Sequence, residues 1–182
     1  GFVHAVGLDT YTRLLEQTMR RLKGEQEETT HAPPEVSVEG AAFLPDTYVP
    51  ESGQKLHLYR RLSRLERVEQ VEHLRDELRD RFGPLPPEVE RLLTVASLRL
   101  LGAELGVERI ALRDNEARVN FREGVVPRMA ALQDAFRDQQ IEVEVRRAMP
   151  LSLVLRRYGA QPLGATIVAA LELLARGRAR AA

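Results

Sequence analysis

Residues 66–93, ERVEQVEHLRDELRDRFGPLPPEVERLL, hold the pattern from which the rest of the chain is read. Val68, Val71, Leu74, Leu78 and Phe82 recur at spacings of 3, 3, 4 and 4, which predicts a helix packed on a core through one apolar stripe. Phe82-Gly83 stops that helix, and Pro86-Pro87 sit where the next helix tolerates proline in its first turn. At 100° per residue, Asp76, Glu69, Asp80, His73, Glu66 and Glu77 project roughly 80–180° from Val68, opposite the stripe. No arginine projects among them, because Arg67, Arg75, Arg79 and Arg81 flank the stripe, where their stems cover core side chains. A solvated face is the ordinary explanation of a charged helix, and its ion pairs contribute only about 0.2–0.5 kcal/mol each. The segregation of sign points further, to a face that meets a partner.

Outward from this stretch the periodicity changes. Residues 87–105 form a long helix, apolar over more than half its circumference (Val89, Leu92, Leu93, Val95, Ala96, Leu98, Leu100, Leu101, Leu105), and are expected to be the central core helix. Beyond Gly106 the period becomes 2. Residues 109–112 and 117–121 flank Asp114-Asn115 as one hairpin, and 141–145 and 151–155 flank Met149-Pro150 as another. A short helix from Val126-Pro127 through Met129, Leu132 and Phe136 lies between the hairpins. A last helix runs from Leu163 to about Ala175, followed by Arg176, Arg178 and Arg180, which suit its negative C-terminal end.

Upstream, 54–65 reads as a helix with Leu56, Tyr59, Leu62 and Leu65 on one side, and Glu35 to Glu39 alternates as a short strand. Residues 9–23 read as an amphipathic helix with Asp9 as N-cap and Tyr11, Leu14, Leu15, Thr18, Met19 and Leu22 on its stripe. EQEETTHAPP, residues 25–34, reads as a linker. The expected organisation is therefore a helical tail of a preceding domain (1–24), a linker (25–34) and a domain over 35–182. Its fold class is α+β, with helices packed on a small, mainly antiparallel sheet.

Composition bounds the function. The 182 residues hold 27 basic and 27 acidic side chains and 43% hydrophobic residues, enough for a core and too balanced for a general affinity for nucleic acid or anionic membrane. Any electrostatic role must be local. The absence of cysteine excludes disulfides and thiolate metal sites and fits a reducing cytosol. No apolar run reaches membrane-spanning length, and the missing initiator Met points to a piece of a longer polypeptide.

Catalytic constellations are sparse. No phosphate-cradling glycine loop is present. Asp76-Glu77 lies mid-helix on a wet face, not at a strand end where a helicase holds its metal. Glu77 and Asp80 sit three apart, as a glycosidase pair might, but without a cleft to raise one pKa. His4, His31, His57 and His73 are too dispersed for a metal site. Arg146-Arg147 and Arg156-Arg157 invite a nucleic-acid reading, yet the hairpin places them at opposite ends.

Three segments then carry a resemblance. Gly1-Phe2-Val3-His4-Ala5-Val6-Gly7-Leu8-Asp9-Thr10-Tyr11 through Leu14-Leu15-Glu16 looks like the tail of a translocase motor. Phe43-Leu44-Pro45-Asp46-Thr47-Tyr48-Val49-Pro50 is similar to an LPxxYIP signature, and Glu77-Leu78-Arg79-Asp80-Arg81-Phe82-Gly83-Pro84-Leu85-Pro86 to an ELxDRFGxLP signature. In this order they resemble the C-terminal end of the bacterial transcription-repair coupling factor. That resemblance implies a non-catalytic regulatory domain. It docks on the N-terminal UvrA-binding module of the same polypeptide and masks it until RNA polymerase is engaged.

The family's contact acids carry over to Glu77 and Asp80, with Glu66, Glu69, His73 and Asp76 as a possible supporting face. The resemblance implies no cofactor for this segment, with ATP and magnesium belonging to the motor of the full-length protein. Partners follow likewise: UvrA and RNA polymerase through the full-length factor, DNA through the motor, and no membrane. Two other readings stand beside it. One is an accessory DNA-binding module gripping duplex through Arg146, Arg147, Arg156, Arg157 and the terminal arginines; the other is a scaffold completing the motor's fold.

Overall fold

Glutamine starts the second helix. The Gln70 side-chain oxygen accepts the backbone N–H groups of Glu66 and Arg67 at 2.9 and 3.0 Å, satisfying donors that no helical carbonyl reaches. In the computed structural model, which describes residues 31–127, 136, 141–146, 150–158 and 162–179, this helix spans Val68–Phe82 and is called α2. Its predicted stripe is its buried face: Val71, Leu74 and Leu78 are at most 1% exposed, and Val68 lies at the edge. The preceding helix, α1, spans Ser52–Leu62, two residues earlier at its start and three at its end than expected. Its core residues are Leu58 and Leu62. Leu56, expected on that stripe, is 37% exposed because it stands about 140° around the helix from the line of Leu58 and Leu62. The third helix, α3, spans Pro87–Leu105 and opens on the expected proline.

Two compact units divide the chain. Among the described residues the first comprises 40–96, with α1, α2 and the start of α3, and the second comprises 31–39 and 97–179. In the first, Leu44, Val49, Leu58, Leu74, Leu78 and Leu92 are buried together with the other stripe residues.

The second unit holds a five-stranded sheet: β1 (Glu35–Val38), β2 (Val107–Leu112), β3 (Glu116–Phe121), β4 (Ile141–Arg146) and β5 (Ser152–Arg157), in the order β1-β2-β3-β5-β4. Both predicted hairpins form, β2–β3 and β4–β5. The sheet is mixed, since β1 pairs with β2 in parallel while the other three pairings are antiparallel. A parallel neighbour needs a long crossover, and here it runs through residues 40–96 of the first unit and the rest of α3. The register sorts the side chains by period 2. Val36, Ile110, Val119 and Leu153 stand in one row on the buried face, and Glu35, Arg109, Arg118, Glu116 and Arg156 on the other.

The last helix, α4 (Leu163–Ala179), buries Leu163, Ile167, Ala170, Leu171 and Leu174. The expected tail helix over 9–23 and residues 25–30 of the expected linker lie outside the described residues, as do Met129 and Leu132 of the expected short helix. Phe136 is helical and buried.

Candidate functional site

The two signature segments meet at the end of α2. Within Phe43–Pro50 the backbone N–H groups of Tyr48 and Val49 both donate to the Pro45 carbonyl, closing a tight turn that sends the Tyr48 side chain inward. The Tyr48 hydroxyl lies 2.9 Å from the Leu78 carbonyl and 3.0 Å from that of Gly83, so its one proton is shared between two carbonyls of the second signature. Its ring stacks obliquely on Phe82, with centroids 5.6 Å apart. From the other side, the Tyr59 hydroxyl of α1 accepts the Leu44 N–H at 2.9 Å. Burial pushes both phenols above their ordinary pKa.

Gly83 then stops the helix at φ 87°, ψ −164°, a region essentially restricted to glycine, while its N–H donates to the Arg79 carbonyl at 3.0 Å. The result is a rigid corner from which the last two turns of α2 project.

The predicted acids are not equivalent on this corner. Glu77 is engaged by two arginines: Arg61 of α1 donates to one carboxylate oxygen, and Arg81, one turn along α2, donates to the other at 3.0 Å. The Arg61 hydrogen bond, helped by Arg81, holds the Glu77 carboxyl below its ordinary pKa, against the opposing effect of partial burial. Arg81 also lies over the Phe82 ring, 5.0 Å from its centroid, so its guanidinium is held between a carboxylate and an aromatic face. Asp76 is 71% exposed and pairs weakly with Arg79 at 3.4 Å. Asp80 is exposed and has no hydrogen-bond or ion-pair partner among the described residues. Glu66, Glu69 and His73 are exposed as well.

The face is thus less acidic than the helical wheel predicts. Arginine heads swing onto it from its flanks and from the neighbouring helix, and Asp80, like Glu66 and Glu69, has no ion-pair partner among the described residues, beside a neutralised Glu77. Arg61 lies 16 residues upstream on another helix, so no local pattern could show it meeting Glu77.

The basic residues offered for a DNA-binding reading have partners. Arg156 bridges Glu116 and Glu144 at 3.2 Å each, Arg146 pairs with Glu144 at 3.0 Å, and Arg157 donates to the Asn115 side chain at 2.8 Å. The Arg118 hydrogen bond depresses the Glu116 pKa first, and the Arg146 hydrogen bond that of Glu144. Arg118, Glu116, Arg156, Glu144 and Arg146 form a compensated ladder across the polar sheet face. Arg147, Arg178 and Arg180 lie outside the described side chains. Among the described residues, no group of three or more His, Asp or Glu side chains could hold a metal, and no helix is long and apolar enough to cross a membrane.

The two signature segments thus meet in one corner of an α+β chain. Residues 38–132 match the TRCF domain, and the chain belongs to that family, the transcription-repair-coupling factors. It is 34% identical over 123 residues to the transcription-repair-coupling factor of Bacillus subtilis (strain 168), covering 68% of this chain and 10% of that protein. The factor of Staphylococcus epidermidis (strain RP62A) is 38% identical over 111 residues, and that of Rickettsia prowazekii (strain Madrid E) 34% over 122. The chain spans about a tenth of the length of these relatives. The fold is also that of a crystal structure of the C-terminal domain of transcription-repair coupling factor, with a TM-score of 0.65 at 22% identity over 83% of this chain and 94% of that one.

Proposed function

We propose that this chain is the regulatory C-terminal domain of a bacterial transcription-coupled repair translocase. In this reading, residues 1–24 are the tail of the motor, 25–34 a linker and 35–182 the regulatory domain. The domain has no chemistry of its own, ATP and magnesium serving the motor elsewhere in the polypeptide. It docks on the UvrA-binding module of the same chain and masks it until RNA polymerase is engaged.

The observation that carries the reading is the exposed, unpartnered Asp80 carboxylate on a helix end locked by Tyr48 and Gly83. A cation on the docking module that closes on Asp80 is desolvated as the interface forms. Close interfacial pairs couple by roughly 1.5–7 kcal/mol, against under about 1 kcal/mol for exposed ones. Glu77 acts differently, because its two arginines already neutralise it. It fixes Arg61 and Arg81 around the site and contributes a shared rather than a free charge.

Tethering supplies an effective concentration of order 1 mM, so a modest contact suffices. A latch of about 2–3 kcal/mol leaves the open form populated at roughly 0.6–3%, which polymerase binding can reverse. Replacing Asp80 and Glu77 together by Ala in an intact factor carrying this domain is expected to raise UvrA affinity without polymerase, up to the limit of about 30–160-fold set by that latch. Unchanged UvrA affinity in the double variant contradicts masking.

A further inference from the structure

Between the end of α1 and the start of α2 lies an open hollow of about 430 Å³ lined by His57, Arg60, Arg61, Arg64, Leu65 and Gln70. No carboxylate lines it. Arg61 is compensated by Glu77 on its other side, but Arg60 and Arg64 are exposed and their guanidinium groups have no partner among the described residues.

Basic residues at a helix C-terminus commonly serve its orphan carbonyls, and here that duty is met by other groups. The Ser63, Arg64 and Leu65 N–H groups donate to the carbonyls of Tyr59, Arg61 and Leu62, and the Ser63 hydroxyl donates to that of Arg60 at 2.8 Å. The two guanidinium groups are left for something outside the chain.

Gln70 adds a neutral donor. Its side-chain oxygen is committed to the Glu66 and Arg67 N–H groups, so its amide NH2 is the end left available.

We infer that this hollow binds the phosphodiester backbone of duplex DNA, with Arg60 and Arg64 as its principal cations and Gln70 as a neutral donor. The spacing favours a polyanion over a single ion. Arg60 and Arg64 lie four residues apart across the end of α1, about 6 Å at helical rise, so the two cations meet neighbouring charges and not a point. The lining favours a duplex over a single strand. It offers no Phe, Tyr or Trp on which unpaired bases would stack, whereas a duplex keeps its bases stacked inside and is held through its phosphates. This site is separate from docking through Asp80, and either can fail without the other.

The test is fluorescence anisotropy of a labelled duplex titrated with the chain across a salt series. Arg60→Ala/Arg64→Ala is expected to lower affinity at least about ten-fold at low salt and to flatten the salt slope by about 0.9 for each phosphate no longer neutralised. Its melting temperature should be unchanged, since neither guanidinium has a partner among the described residues.

Arg118→Ala/Arg146→Ala removes the same charge from the sheet and should leave binding within about two-fold. An equal weakening in that control overturns the site. No effect of the Arg60/Arg64 variant overturns it as well. Tighter binding of a single-stranded oligonucleotide overturns the choice of duplex, and preferential binding of a polyglutamate peptide overturns nucleic acid in favour of an acidic protein segment.

Discussion

The Tyr48 hydroxyl lies 3.0 Å from the Gly83 carbonyl, tying the loop of one signature to the residue that ends the helix of the other. Thirty-five residues of chain separate the two, so this contact belongs to the fold and not to local geometry. It explains why a tyrosine is buried at the end of a charged helix. The ring packs beside Phe82, and the hydroxyl reaches the carbonyl of Leu78 inside the last turns of the helix and that of Gly83 just beyond its end.

Tyr48→Phe keeps the ring and removes the hydroxyl. The expected destabilisation is about 0.5–1.5 kcal/mol, the net value of a buried hydrogen bond, giving a fall in melting temperature of about 2–4 °C per kcal/mol for a chain of this length. Thermal unfolding followed by circular dichroism measures it. Unchanged stability would mean that the hydroxyl is dispensable to the corner.

Gly83→Ala tests the stop itself. Nothing lies within 4 Å of an added Cβ, so any cost comes from the backbone at φ 87°. Urea unfolding should show a destabilisation of about 1–3 kcal/mol with an unchanged slope.

Gly102 in α3 makes the opposite case. A Cβ there would stand 2.5 Å from Cγ of the buried Pro34, the residue that leads into β1. Ala is favoured over Gly in a helix by about 1 kcal/mol, yet overpacking costs typically 1–3 kcal/mol. Gly102→Ala should therefore be neutral to destabilising in the same urea experiment, and a clear gain in stability contradicts the close packing.

The architecture was largely legible in the residue pattern, because burial and periodicity are local. The Val68-to-Leu78 stripe, the proline start of α3, both hairpins and the α+β class follow from spacing alone. What escaped was non-local. The strand Glu35–Val38 was visible by alternation, but its parallel pairing with β2 across residues 40–96 and the rest of α3 has no sequence signal. The acids of α2 were visible too, but not the Arg61 that reaches Glu77 from α1. The α1 stripe was misplaced because Leu56 is as apolar as Leu58, and only packing distinguishes them. Arg60 and Arg64 escaped likewise, because basic residues along a helix edge give no signal until the packing of α1 beside α2 shows which of them find a carboxylate.

Acid should weaken the Glu77 bridge. A folded-state pKa held below the ordinary value gives a stabilisation fully present above the ordinary glutamate pKa and lost as pH falls through the depressed one. The stability difference between the wild-type chain and Glu77→Gln should thus be present at about pH 7 and vanish in strong acid, as read from urea unfolding across pH. A difference independent of pH contradicts the ionic character of the bridge.

Arg61→Ala should free part of the Glu77 charge. Docking should tighten by about two- to five-fold, as expected when a partly screened carboxylate becomes available to a partner cation. Isothermal titration against the separately expressed UvrA-binding module measures it, and weaker docking would show that Arg61 itself belongs to the interface.

The central claim is that docking runs through Asp80 on the Tyr48–Gly83 corner. The most direct measurement is the dissociation constant of this chain for the UvrA-binding module in trans, for which a latch of about 2–3 kcal/mol and a tether of order 1 mM require roughly 6–30 µM. Asp80→Ala is predicted to weaken that constant by at least about ten-fold, and more than Glu77→Ala does, with the melting temperature unchanged. Equal affinity of wild type and Asp80→Ala would contradict the account.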